Sequence, residues 1–114
     1  MTNWNRYRPR RSSARWLQDA PDYVVACYDQ PNTGDRYTVL LGGQFWEPQN
    51  AEYWSRIGQD PRTVSALAMS DAPTHPQGIS LWVDCVRGPH LGKKVRWLDL
   101  PEHIRKHVVS RCAD

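Results

Sequence analysis

The chain has 114 residues, 39% of them apolar, with a mean hydropathy of −0.73 and a net charge of +3. That length supports one hydrophobic core, and no apolar run approaches the ~18 residues that a membrane helix needs, so a second core and a membrane span are both excluded from the expectation. Six Trp, five Tyr and one Phe supply large burial units to a core short of aliphatic residues.

The charge is unevenly spread. Residues 1–20 hold five arginines and a single acid, Asp19, whereas the rest of the chain holds ten Lys or Arg against eleven Asp or Glu. All of the basic excess therefore belongs to the N-terminal segment. No apolar stretch follows these arginines, as a secretion signal would require. Cys27, Cys85 and Cys112 are odd in number and widely spaced. Reduced thiols and a cytoplasmic setting are the expectation, with each cysteine acting as a small hydrophobe.

Residues 1–16 mix arginine with Asn, Ser and Pro and show no periodicity, which predicts a flexible basic arm, with residues 17–114 forming the single folded domain. Trp16 and Leu17 mark the start of the fold, and Pro21 precedes the first strand. The segments 22–29 (DYVVACYD) and 35–41 (DRYTVLL) are rich in β-branched and aromatic residues and flank a Gln-Pro-Asn-Thr-Gly turn, so they read as a hairpin. In the second of them Tyr37 and Val39 alternate with Arg36 and Thr38, which predicts one buried and one wet face.

The segment 44–60 holds Phe45, Trp46, Tyr53, Trp54 and Ile57 at irregular spacing, with Pro48 as a break. It reads either as a short helix capped by Asn50 and stopped by Gly58 or as an irregular loop with surface aromatics. Residues 63–70 (TVSALAMS) form a strand with two competing faces, and 71–78 (DAPTHPQG) form a stiff loop. Residues 79–86 (ISLWVDCV) return as a strand, with Ile79, Leu81, Val83 and Cys85 on one face and Trp82, Asp84 and Val86 on the other.

After the turn at 87–92, residues 93–98 (KKVRWL) read as an edge strand whose cations discourage unwanted pairing. The chain closes on a helix over about 101–111, begun by Pro101 and Glu102, with Leu100, Ile104, Val108 and Cys112 forming an i, i+4 stripe. Strands first and helix last predict an α+β fold: a mostly antiparallel sheet of about five strands with one C-terminal helix packed on it.

Several constellations carry possible chemistry. His103 and His107 sit one turn apart on the last helix, the spacing of helical zinc sites, but the Glu of an HExxH motif is missing, and Cys85, His90 or Cys112 would have to supply a third ligand. The reading is no metal and no cofactor, with these histidines solvated. Cys85 or Ser70 with His75 or His90 has the residue types of a nucleophile and base, yet no nucleophile elbow is present and Cys85 falls on an apolar strand face. Leu41-Gly42-Gly43-Gln44 lacks both the P-loop ending and the dinucleotide fingerprint.

The positive signals are for binding. Arg6, Arg8, Arg10, Arg11 and Arg15, interleaved with Trp4, Tyr7 and Trp16, fit a polyanion or an acidic protein surface. Trp46, Tyr53 and Trp54 fit a protein contact, and the stiff loop presents His75 and Gln77 for recognition.

The pieces DRYTV (35–39), THPQG (74–78) and GKKVRW with DLPE (92–97 and 99–102), in this order, resemble small proteins carried by bacteriophages and mobile elements, over about residues 35–109. That resemblance brings no catalytic residue. It implies a non-enzymatic accessory protein in the cytoplasm of a bacterial host that acts by binding a host protein or ribonucleoprotein, as a stoichiometric inhibitor of a defence system of the anti-CRISPR kind. The competing expectations are a nucleic-acid or nucleotide binder using the arm, and an enzyme built on His75, His90 or Cys85.

Overall fold

The computed structural model describes residues 7–113. Its centre is a five-stranded antiparallel sheet built from β1 (Val24–Asp29), β2 (Tyr37–Leu41), β3 (Val64–Met69), β4 (Ser80–Cys85) and β5 (Lys93–Val95), in the spatial order β4-β3-β2-β1-β5. The expected α+β class, the hairpin β1–β2, the C-terminal helix and the position of β5 at a sheet edge all hold. Three helices surround the sheet: α1 (Ala14–Leu17), α2 (Pro48–Arg56) and α3 (Glu102–Cys112). No helix among the described residues is long and apolar enough to cross a membrane.

Through its inner strands β1, β2 and β3 the sheet is covered on both faces. On one, Leu100, Ile104, Val108 and Cys112 of the α3 stripe join Val24, Cys27, Val39, Leu41, Leu67 and Met69 in a single apolar cluster. This is the helix side. On the other, Val25, Ala26, Tyr28, Leu40, Val64 and Ala66 are met by Trp46, by Ala51 of α2 and by Leu91. This is the outer side. A bulge in β1 between Val24 and Ala26 turns Val25 and Ala26 to the same outer cluster.

Two-sided cover corrects the reading of β2, for which one wet face was expected. All five of its residues are buried, and Thr38 is only 7% exposed although it points to the outer side. A central strand flanked by β1 and β3 and roofed on both sides has no wet face, so Tyr37/Thr38 alternation carries no information about solvent. The competing faces of β3 are resolved the same way: Val64 and Ala66 pack outward, Leu67 and Met69 toward the helix.

Segment 44–60 is neither wholly core nor wholly surface. Pro48 does not break it. It occupies the first turn of α2, where the missing N–H has no intrahelical partner to lose, and Glu47 rather than Asn50 is the cap residue. Gly58 follows with a φ of 82°, as its place past the helix end requires. The last strand is also shorter than expected, because Trp97–Asp99 close into a 3-10 turn, in which the Asp99 side chain accepts from the Arg96 backbone N–H at 2.9 Å. Trp97 is buried there rather than at a strand face.

Candidate binding surface

The arm expectation changes most. Residues 1–6, with Arg6 and Trp4, lie outside the described residues. From Tyr7 onward the segment lies on the domain instead of standing free of it. The Ser12 N–H donates to the Val25 carbonyl at 2.9 Å, Arg11 Nε donates to the Val24 carbonyl at 2.9 Å, and the Arg11 guanidinium also reaches Pro21 O at 3.1 Å. From the far end of β4, Arg87 donates to the Arg10 carbonyl at 2.9 Å. The β1 bulge explains the attachment, since its irregular register exposes carbonyls that the sheet ladder leaves unused.

This docking gives the four described arginines of the arm different tasks. Arg11 is a clamp. Arg15 lies over the Trp16 ring, its Cζ 5.8 Å from the centroid, with Lys94 on the same ring at 4.6 Å, toward the β5 edge. Arg8 covers Trp46 at 5.4 Å. Trp46 is itself 6% exposed, which corrects its assignment as a contact residue: it is core, and the guanidinium above it is the exposed group.

Arg8 and Arg10 come together with two arginines that the sequence reading did not single out. Arg62, just before β3, and Arg87, just after β4, face them across a cleft of about 310 Å³. Its floor is apolar, formed by Val25, Leu40, Val64 and Val86. Arg62 is oriented by Asp60, Nε to Oδ1 at 3.0 Å and the terminal nitrogen to Oδ2 at 2.6 Å, and this contact lowers the Asp60 pKa. Arg87 stands beside Tyr28, whose phenol pKa is raised by burial and pulled back by that guanidinium. The register Val64↔Cys85 explains the convergence of Arg62 and Arg87, because residues just before β3 and just after β4 share one end of a hairpin. Tertiary pairing supplies half of the site.

Tyr53 and Trp54 of α2 border a neighbouring cleft of about 330 Å³ that shares Val64 with the first. Tyr53 is 49% exposed and meets Trp54 edge-on, with centroids 5.1 Å apart. Both remain available for contact. His75 and Gln77 do not join them. They belong to the loop at the opposite end of β3 and β4, five residues of strand away or about 17 Å at ~3.3 Å per residue. The loop is closed on itself: Gln77 N–H donates to His75 Nδ1 at 3.0 Å and Gly78 N–H to the His75 carbonyl at 2.8 Å.

His103 and His107 are spent on different partners. His103 Nε2 donates to the Asp71 carbonyl at 2.6 Å, and His107 Nε2 lies 2.6 Å from Ser80 Oγ, so the two tie α3 to the two ends of the loop 71–79. Among the described residues no three His, Cys, Asp or Glu side chains gather as a metal cluster. Cys85 is half-buried with its thiol pushed up to about 11 by burial and by Asp84, and Ser70 Oγ accepts from the Ile79 N–H at 2.9 Å. Neither His75 nor His90 hydrogen-bonds to Cys85 or Ser70 among the described residues. Gly42 and Gly43 form a turn, with Gly42 packed against Val25.

No family model matches the chain, and the comparisons with curated proteins and with solved structures return no significant match.

Proposed function

We propose that the protein works by binding: it presents the arginine-rimmed cleft to an acidic protein surface and acts as a stoichiometric inhibitor of a host complex, the role that the phage-type resemblance implies. The observation that carries this reading is the convergence of Arg8, Arg10, Arg62 and Arg87, from three separate segments, on a floor of four apolar side chains. An apolar centre with arginines around it is the composition of a protein interface hot spot, where the guanidinium groups take carboxylates bidentately while the apolar floor is desolvated. Exposed Tyr53 and half-buried Trp54 beside the cleft extend the same surface.

A nucleic-acid reading has its own support at the β5 edge, where Arg15, Trp16, Lys93, Lys94 and Arg96 line a cleft of about 490 Å³ together with Asp29 and Asp99. The Trp16 ring, one of those expected to stack on bases, already carries two cations. The protein reading is the stronger. It is tested by capture from bacterial lysate on the full chain, with and without nuclease, beside the Arg10→Glu variant. The expected result is a protein partner that survives nuclease at near 1:1 stoichiometry and is lost with Arg10→Glu. Capture abolished by nuclease would replace this reading with the nucleic-acid one.

A further inference from the structure

The two edges of the sheet are unlike. β5 is three residues long and carries Lys93 and Lys94, the usual protection of an edge against pairing. β4 is six residues long, has neither Lys nor Pro, and pairs with β3 along its full length, while no other strand among the described residues pairs on its far side. Two of its three exposed side chains are large and apolar, Leu81 at 56% and Trp82 at 45% exposed, and the third is Asp84. An unprotected edge of this length is a template for another strand.

Its charge pattern fits a second copy of itself. Pairing with β3 puts Ser80, Trp82 and Asp84 on the helix side and Leu81, Val83 and Cys85 on the outer side. Arg111 of α3 covers Trp82, with its Cζ 5.4 Å from the ring centroid, and Asp84 is exposed and enters no ion pair among the described residues.

We infer that β4 pairs antiparallel with β4 of a second copy about a twofold axis through Val83, extending the sheet across a dimer. In this register Trp82 stands opposite the second copy's Asp84, so that carboxylate meets the Arg111 guanidinium lying on Trp82, twice by symmetry. Leu81 stands opposite the second copy's Cys85, which covers the most exposed apolar side chain of the edge. A register moved by one residue would turn one sheet over and separate Asp84 from Arg111. The same register leaves the arginine clefts of both copies opening on one side of the extended sheet. The dimer does not depend on what those clefts bind.

The experiment is sedimentation equilibrium on the full chain, on Asp84→Arg, on Arg111→Asp, and on an equimolar mixture of the two variants, each checked for folding by far-UV circular dichroism. Both substitutions are at the surface or half-buried, and neither removes a core contact. The expected wild-type species has twice the 13.2 kDa of one chain. Each variant alone opposes like charges at both positions and is expected to dissociate about tenfold more readily or beyond. The mixture restores both opposite-charge pairs and is expected to recover the dimer. A monomeric wild type, a dimer indifferent to the single reversals, or a mixture as dissociated as its components would each overturn the inference.

Discussion

The two faces of the sheet are covered in different ways. On the helix side the largest element of the cover is α3, whose Ile104, Val108 and Cys112 close the core together with Leu17, Trp97 and Leu100. On the outer side the roof is assembled from pieces: Trp46 and Ala51 around α2, Leu91 from the loop before β5, and the N-terminal segment held by hydrogen bonds to β1. On the outer side the borders between these pieces leave clefts over the sheet itself. The arginines border one of these clefts because each piece brings its own charge to its edge, Arg8 and Arg10 from the segment, Arg62 and Arg87 from the strand ends.

The strongest test of that contrast is deletion of a large side chain from each cover. Ile104→Ala on the helix side and Trp46→Ala on the outer side should both cost stability, about 2–5 and about 3–5 kcal/mol, as urea denaturation would measure. The two should differ in kind. Ile104→Ala acts on the whole domain and leaves the arm attached in the remaining folded protein. Trp46→Ala also removes the surface on which Arg8 rests, so limited trypsin digestion should cut between residues 7 and 12 before the domain unfolds. Simultaneous cutting everywhere would show that the two covers are one cooperative unit.

Arg11→Ala should have a smaller effect, about 1–2 kcal/mol, from the loss of its bonds to the Val24 and Pro21 carbonyls. Its signature is local. Amide exchange at Ser12, whose N–H is bonded to Val25, should accelerate while exchange in α3 changes little.

The smallest expected effect is a pH dependence on the helix side. Burial and the Arg111 charge lower the pKa of His107, so the fold prefers its neutral form. The folded-state value lies below the unfolded one, and the contribution to stability is therefore complete above ~6.5 and is lost as pH falls through the folded value. Urea midpoints should drop between pH 7.5 and 5 for the wild type and drop less for His107→Gln. An identical slope in both proteins would assign the effect elsewhere. Cleft chemistry should not follow this profile, since its guanidinium groups stay charged throughout.

How much of this was legible from residues alone varies by element. The hairpin, the two later strands and α3 were readable because β-branched and aromatic runs bounded by Gly, Pro and Asn, and an i, i+4 apolar stripe, are local signals. α2 was half legible: Pro48 has two local meanings, breaker inside a helix and opener at its first turn, and only the packing of Ala51 against the outer cluster selects the second. Trp46 was misplaced for a similar reason. An aromatic in an irregular segment carries no periodicity to say which way it points.

By itself, then, the sequence determined the class of the fold, the separation of basic from neutral segments, and the absence of a periodic reason for 1–16 to be ordered. The tertiary structure decided where those arginines end up. Unused carbonyls at the β1 bulge hold the segment down through Arg11 and Ser12, and the β3–β4 hairpin brings Arg62 and Arg87 to the same place. Residues 10 and 87 become neighbours through a hydrogen bond spanning 77 positions. Pattern along a chain records local preference, but a cleft is a relation between segments distant in sequence, and only strand pairing and packing on both sheet faces create it.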